Sequence, residues 1–521
     1  MITSKSLFTK YQDDSVLLKC KRYAHWTLPK LMAELRPMGT ADIIERDYQE
    51  IGALLTNNLA SKLAALLFPT NRPFFGVNVS SRIMKLAKAN GIDDGAFMAQ
   101  LAELEMEASQ SVFLNSSYNQ LTLAVAHLIV TGNCLTRRDS QRKRTMTYGL
   151  QSFGIRRTGT GEMADCILRE FESFAGLSRD LQVLLATRFP NKYRMDRFEV
   201  NVEVYTRITR QAAASGNVFY TVSQEIEGMP VGEPGTFPQH LCPFQAPVWS
   251  LVAGEHYGRG LVEDFAGGFA ALSDKSEGLA LYGIAMMKFL NLVQPGSGNS
   301  IDDFQKAETG DYVSGTQGAV VAQESGDANK VTAMRAEIDA VFQNLAKAFM
   351  YQTNVRDAER VTAFELRQAA NEANNALGGT YSALAESFQL GLAHLLLMEV
   401  SPDTLQGIIT KDVVPDIVSG LPALSRGIDV QNMLAAAQDA QAIVPVLKTL
   451  DNRLDPNKVM DVIYAGQSVN ATKFQRSAEE QAQYEQAQQQ ASDAQQQLAL
   501  LNNATNVGQA VTNAAQSGTP A

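Results

Sequence analysis

Five basic residues fall within eight positions: Arg137, Arg138, Arg142, Lys143 and Arg144. Guanidinium and ammonium groups at that density either hold phosphate or meet the acidic face of a neighbouring subunit. No aromatic residue is interleaved with them, whereas binders of single strands stack bases on aromatic rings. A second charged cluster runs Asn354-Val355-Arg356-Asp357-Ala358-Glu359-Arg360, two Arg and two acids between two strongly helical stretches. Its plainer account is a turn between helices, with Glu359 and Arg360 near a cap. Its functional account is a positioned, mobile loop, because loops on a rigid scaffold are common functional sites.

Other residue types offer less chemistry. The five histidines, His25, His127, His240, His256 and His394, stand in no metal-ligand spacing. His127 and His394 lie in apolar stretches and read as hydrogen-bonded core or interface histidines. No nucleophile elbow, P-loop or dinucleotide fingerprint occurs in the right context. Gly254 and Gly258-Arg259-Gly260 come closest to a glycine-rich loop, but lack a phosphate-binding Lys or Ser/Thr and read as a turn before a helix. The acid pairs Asp13-Asp14, Asp93-Asp94, Glu263-Asp264 and Asp302-Asp303 are adjacent in sequence, so on a helix they point apart and suit caps or solvated faces. Cys20, Cys134, Cys166 and Cys242 lie far apart with no CxxC pair, which fits a reducing compartment rather than a disulfide scaffold or zinc ribbon. The expectation is no catalysis, no metal and no cofactor.

The chain has 521 residues, 45 Lys+Arg against 55 Asp+Glu, a formal charge of -10, and 45% hydrophobic residues. That composition excludes a wholly disordered or collagen-like chain, and the length suggests roughly three to four domain-sized units. The acidic balance argues against a simple basic nucleic-acid binder. Residues 1–14 contain no apolar signal-peptide core. The longest apolar stretches, 121–130 and 390–398, are about half a membrane span and read as buried helices. A soluble protein made in the cytosol, with no membrane contact, is expected.

The elements that must position the charged clusters are mostly helical. Leu55, Leu59, Leu63, Leu66 and Leu67 recur at helical spacing over 51–68, and Pro69 stops them. A helix pair is expected across 94–131, with a polar break at 115–119, followed by a basic loop. Alternation of Phe198, Val200, Val202 and Val204 with polar residues predicts a strand. Ser215-Gly216-Asn217 is a turn, and 218–226 the returning strand. The Pro/Gly-rich run 227–247 reads as loop, and 248–252 as one more strand. A helical stripe over Leu261, Phe265, Phe269, Leu272, Leu279 and Met286 enters a Gly/Ser/Asp-rich insert, 293–326, read as a loop or small β unit. A second stripe, Val331 to Phe349, leaves it. Residues 361–398 read as one helix of about 38 residues, roughly 57 Å long, with a kink at Gly378-Gly379. Pro402, Pro415 and Pro422 mark a connector. Helices resume at 430–450 and 456–466, and the Gln/Ala-rich tail from Ala471 has high helix propensity. The fold class is α+β, mainly helical.

The ordered series of segments resembles the portal proteins, or head-to-tail connectors, of short-tailed double-stranded-DNA phages of the autographivirus type. Asn57-Asn58-Leu59-Ala60-Ser61-Lys62-Leu63 with Leu67-Phe68-Pro69, then Val130-Thr131-Gly132-Asn133, carry part of the likeness. So do Cys242-Pro243-Phe244, Gly254-Glu255-His256-Tyr257-Gly258-Arg259, and Thr309-Gly310-Asp311-Tyr312-Val313-Ser314-Gly315. Most telling is Glu359-Arg360-Val361-Thr362-Ala363, continuing to Leu377-Gly378-Gly379-Thr380-Tyr381-Ser382. The likeness spans about 40–430. The basic stretch after Asn133 and the tail after Asp429 show no clear family pattern.

The resemblance implies a portal fold with wing, stem, clip and crown, a small β-sheet in the wing and a long spine helix. It implies a wing at 1–258, a first stem helix at 259–287, a clip at 288–326 and a second stem helix at 327–351. A tunnel loop at 352–360, carrying Arg356, Asp357, Glu359 and Arg360, a spine helix and connector at 361–430, and a crown at 431–521 complete the map. The implied particle is a homo-oligomeric ring of twelve subunits, in the virion at one capsid vertex and in the host cytoplasm during assembly. Implied partners are the major capsid and scaffolding proteins, the terminase large subunit, a tail adaptor, internal core or ejection proteins, and double-stranded DNA passing through without sequence specificity. Two other readings make different predictions. An enzyme would be a monomer or small oligomer with a pocket. A non-enzymatic helical scaffold or interaction protein of another assembly would show sustained heptads, which here last only two to four turns.

Overall fold

Thr3 and Asp13 start the chain's first two helices, α1 (Ser4–Tyr11) and α2 (Asp14–Trp26), by accepting hydrogen bonds from the backbone N–H groups of Ser6 and of Ser15 and Val16. The hydrogen bond from Ser15 holds the Asp13 carboxyl below its ordinary range, so this member of an acid pair is a cap. The architecture comes from a computed structural model that describes residues 3–33, 45, 47–70, 73–89, 94–196, 200–213, 216–286, 289–293, 301–310, 312, 320–324, 328–351, 379, 383–402 and 413–417. The chain divides into units 1–424 and 425–521. The second unit, with the predicted helices 430–450 and 456–466 and the Gln/Ala-rich tail, lies outside the described residues.

The leucine stripe forms α3 (Ile51–Leu67), with Leu55, Leu59, Leu63 and Leu67 fully buried. After β1 (Phe75–Val79) and α4 (Ser81–Ala89), the expected helix pair appears as α5 (Asp94–Gln110) and α6 (Ser117–Thr131). Asn115 (φ 52°) and Ser116 (φ 59°) make the break between them in left-handed backbone, which Asn tolerates better than most side chains. α6 ends at Gly132, φ 74°. A Cβ there would lie 2.4 Å from the Arg259 carbonyl carbon, so only glycine fits.

The segment after α6 is β-rich. β2 (Leu135–Asp139) and β3 (Arg144–Tyr148) form a hairpin, so the expected basic loop is a β-hairpin with a short turn. β4 (Phe153–Arg157) and β5 (Met163–Ser173) follow, then α7 (Arg179–Arg188), β6 (Asn201–Ala212), β7 (Val218–Ile226) and β8 (Met229–Pro238). A five-stranded antiparallel sheet has the order β4-β5-β6-β7-β8. The expected strand pair around Ser215-Gly216-Asn217 is β6–β7; Phe198 lies outside the described residues.

Two expectations are corrected here. The Pro/Gly-rich run holds β8, not only loop: Pro230, Pro234 and Pro238 sit on the sheet's outer strand, where a missing N–H costs no inner ladder bond. Residues 248–252 form no strand. They make only isolated bridges, Asn133 with Val248 and Ser250 with Arg259. The remaining short strand, β9 (Phe244–Gln245), joins β2 to give the order β3-β2-β9.

Next come α8 (Leu261–Asp264), α9 (Ala266–Met286), β10 (Phe289–Val293), α10 (Ile301–Lys306), β11 (Val320–Glu324) and α11 (Ala328–Ala348). β10 and β11 pair antiparallel, so the insert is a β unit held between two helices. The expected long helix is described only in part, because 361–378, including Gly378, lies outside the described residues. Gly379 is exposed, with φ 85°, a left-handed backbone angle that glycine accepts freely. The chain is then helical, with a π-turn at Ala385–Gln389 leading into α12 (Leu390–Val400). Pro415, read as connector, lies in β12 (Val413–Ile417), which pairs antiparallel with β1. The main core joins α2, α3, α6, α9, α11 and α12 to the sheets, and a smaller core of Phe174, Leu185, Tyr193, Val202, Ile226 and Met229 lies at α7.

Candidate functional site

The two charged clusters and the helix-bracketed insert are the candidate sites. In the β2–β3 hairpin, strand alternation sends neighbouring arginines to opposite faces. Arg138 faces the core. Its Nε and Nη2 donate to Glu399 Oε1 and Oε2 at 2.8 and 2.7 Å, a bidentate pair with both side chains almost fully buried (1% and 2% exposed). Its Nη1 also reaches Ser117 Oγ (3.3 Å) and Thr145 Oγ1 (3.2 Å), the latter on its cross-strand partner. Glu399 sits in the last turn of α12, where the carbonyl ends already concentrate negative charge. Arg138 therefore compensates both the carboxylate and the helix end.

Arg137 turns to the other face. Its guanidinium lies over the Phe244 ring, 5.5 Å from the centroid, and 3.7 Å from Glu170. Glu170 accepts a 2.6 Å hydrogen bond from Tyr148, whose phenol is pushed up chiefly by burial and then by that carboxylate. Arg142, Lys143 and Arg144 are exposed at the turn. Asp139 Oδ1 accepts from the N–H groups of Gln141 and Arg142, Asn115 Nδ2 donates to Arg142 O, and Lys143 takes φ 48°. The expected patch of five basic residues is thus corrected to three exposed cations on a braced turn. Arg138 is an internal tie, and Arg137 is half-buried.

The second cluster, Arg356, Asp357, Glu359 and Arg360, lies outside the described residues. Its point of departure is described. α11 ends with Met350 at φ 53°, Tyr351 N–H bonded to Ala346 O (2.7 Å) and Met350 N–H to Lys347 O (3.3 Å). This is a Schellman ending with methionine where glycine is usual. Lys62 Nζ donates to Met350 O at 2.6 Å, and Tyr351 packs on Phe342 with ring centroids 6.0 Å apart. The segment from 352 onward therefore leaves a fixed point on α3 and α11.

The α9–α11 pair is sealed at that same end. Phe269 and Phe349 meet edge to face at 5.4 Å, beside buried Leu272 and Leu345. A Cβ on Gly268 would lie 3.1 Å from Leu345, so the helices approach closely there. Further along, Lys275 pairs with Glu337 at 2.8 Å.

The four cysteines and two of the histidines are held neutral by burial. Burial pushes the Cys20 and Cys242 thiols up to about 12, and raises Cys134 and Cys166 as well, so all four stay protonated near neutral pH. Burial lowers His127 and His394 to about 4. His394 stacks on His240 with centroids 5.0 Å apart, beside a cavity of about 320 Å³ that Arg157 also lines. The Arg157 guanidinium is spent on the carbonyls of Gly161, Ala246 and His256. Sequence reading missed the Arg138–Glu399 tie and the His240–His394 stack. The partners in each are more than 150 residues apart in sequence, and no local pattern links them.

Comparison with known proteins bears on the whole arrangement. A family model described as bacteriophage head to tail connecting protein matches residues 12–474. The portal protein of Pseudomonas phage phiKMV is 43% identical over 503 residues, covering 95% of this chain and 96% of that protein. The portal protein of Enterobacteria phage SP6 is 28% identical over 421 residues, covering 81% of this chain and 79% of that protein. Among solved structures, the neck of an empty gene transfer agent particle matches 75% of this chain and 86% of that chain at 11% identity. Its TM-score of 0.35 is too loose a superposition to add to the assignment. On the family match and the phiKMV identity, the chain belongs to the family of bacteriophage head-to-tail connecting proteins.

Proposed function

We propose that this chain is the subunit of a portal, a closed ring at one vertex of a phage head through which double-stranded DNA is packaged and later ejected. The observation that carries the reading is the family match over residues 12–474, reinforced by identity to a portal protein along nearly the whole chain. The ring has twelve copies. Its role is structural: it nucleates the head with capsid and scaffolding proteins, docks the terminase large subunit during packaging, then holds a tail adaptor. Energy for translocation comes from the docked motor.

In this reading 1–258 is the wing, 259–287 and 327–351 are the stem helices, and 288–326 is the clip. Support comes from α9 and α11 bracketing the β10–β11 unit, an arrangement suited to presenting a tip to a docking partner. Residues 352–360 form the tunnel loop, 361–430 the spine and connector, and 431–521 the crown, facing internal core or ejection proteins. Arg356 and Arg360 contact passing phosphates, and each contact is screened within roughly 8–10 Å at physiological salt. Such contacts carry no sequence information. The overall charge of -10 disfavours tight adhesion of DNA that has to slide.

Native mass measurement with negative-stain imaging tests the reading. Twelve copies of a 56.7 kDa chain give about 680 kDa and an end-on ring with an open centre. A monodisperse species near the single-chain mass at every salt and concentration would overturn it.

A further inference from the structure

The distal part of the α9–α11 pair has no interior of its own. Over 273–286 and 329–344 not one residue is fully buried. The two helices have used their facing sides on each other. Gly268 packs on Leu345, Lys275 on Glu337, and Gly278 is near Met334. That register places Leu281 and Ile284 level with residues 328–332. What remains on each helix is an outward stripe, and the two stripes point away from each other.

The stripes are unlike. Along α9, Asp274, Glu277, Leu281 and Ile284 follow 3-4-3 spacing, which lines one helix face. All four are exposed, Leu281 by 53% and Ile284 by 59%. Along α11, Ala333, Ala336 and Ala340 make a shallow exposed face that continues to Lys347. The charges differ in sign too. The exposed charges within α9 are acidic, whereas α11 exposes Lys330, Arg335 and Lys347; of its exposed acids, Glu337 is engaged by Lys275, leaving Asp339.

We propose that the outward α9 stripe of one copy packs on the outward α11 face of the next copy, with Leu281 and Ile284 seated over Ala333 and Ala336. This rests on the portal reading and names the faces that meet there. Large apolar side chains over alanines allow close helix approach, and the same register runs the acidic end of the α9 stripe at Asp274 toward Lys347 on the α11 face. Because the two faces are different and lie on opposite sides of the pair, the contact is heterologous, repeats in one direction and closes into a ring. A two-fold contact would instead set Asp274 and Glu277 against their own copies.

Disulfide trapping tests the pairing. The four native cysteines are all buried, so introduced thiols dominate the reaction. Ile284→Cys is combined with Ala333→Cys, and separately Leu281→Cys with Ala336→Cys. Within one copy each pair sits on opposite sides of two helices, beyond the roughly 7 Å Cα reach of a disulfide. Oxidation of assembled protein is expected to give a ladder of covalent multimers from at least one pair, while every single-cysteine variant stays at one-chain size. Dimers from a single-cysteine variant would show a two-fold contact and overturn the proposal. Rings of normal mass with no ladder from either pair would overturn it as well, leaving the portal reading intact. Unmodified protein that never assembles would sink the portal reading, and this pairing with it.

Discussion

The body built on α3 and α6 and the helix pair α9–α11 bury their apolar residues in opposite ways. In the body, Leu55, Leu59, Leu63, Leu121, Val125 and Leu128 are wholly enclosed by other parts of the same chain. In the pair, burial stops at Phe269, Leu272, Leu345 and Phe349, and the distal residues keep Leu281 and Ile284 in solvent. A fully buried Leu or Phe contributes roughly 1.5–3 kcal/mol, so the body's stability is intrinsic. An isolated pair of helices with one half-covered face is marginal and gains from a neighbour. The difference separates what a subunit folds by itself from what assembly completes.

The largest expected effect lies in the body. Glu399→Ala leaves the Arg138 guanidinium buried without its carboxylate and is expected to cost about 3–5 kcal/mol in denaturant unfolding. The double variant Arg138→Met with Glu399→Leu, which removes both charges, is expected to recover most of that loss. A single-variant cost below about 1 kcal/mol would mean the tie is not sealed from water.

Next comes a contrast within one helix. Phe269→Ala, at the sealed end of α9, is expected to cost about 3–5 kcal/mol. Leu281→Ala, three turns further on, is expected to change monomer stability by no more than about 0.5 kcal/mol. Equal costs at the two positions would erase the distinction between base and distal end.

A smaller effect should appear with pH. His127 and His394 titrate near 4 in the fold, well below the ordinary 6.5, because burial penalises the imidazolium. The unfolded chain therefore binds more protons between those values. Stability is full above about pH 6.5 and falls as pH drops toward 4. His394→Gln should flatten that slope, as read from melting temperature against pH; an unchanged slope would place the titration elsewhere. The smallest effect belongs to the hairpin turn. Replacing Arg142, Lys143 and Arg144 together by Gln should leave stability within about 0.5 kcal/mol of the parent, because all three are exposed.

Regions whose periodicity reports a single environment were legible in the sequence. The leucine spacing of α3 faces the main core, the alternation running into β6 faces the smaller one, and the stripes of α9 and α11 face each other. β5 was not legible, because Asp165 to Leu168 is buried on both faces and alternation vanishes. β8 was hidden by prolines that only an outer strand tolerates. The basic cluster was visible as composition, but the carboxylate that pairs with Arg138 and not with Arg142 is Glu399, 261 residues away. Sequence order could show that charge was concentrated there, and not which charge was enclosed.

Amide hydrogen exchange, compared between dissociated subunits and assembled particles, tests most directly whether neighbours complete the helix pair. The amides of α9 from 278 to 286 are expected to gain protection on the order of tenfold or more on assembly, while those of α6 from 121 to 131 stay as they are. Equal protection of 278–286 in both states would contradict the account, because it would mean that the distal helices are already as stable in a lone subunit as in the ring.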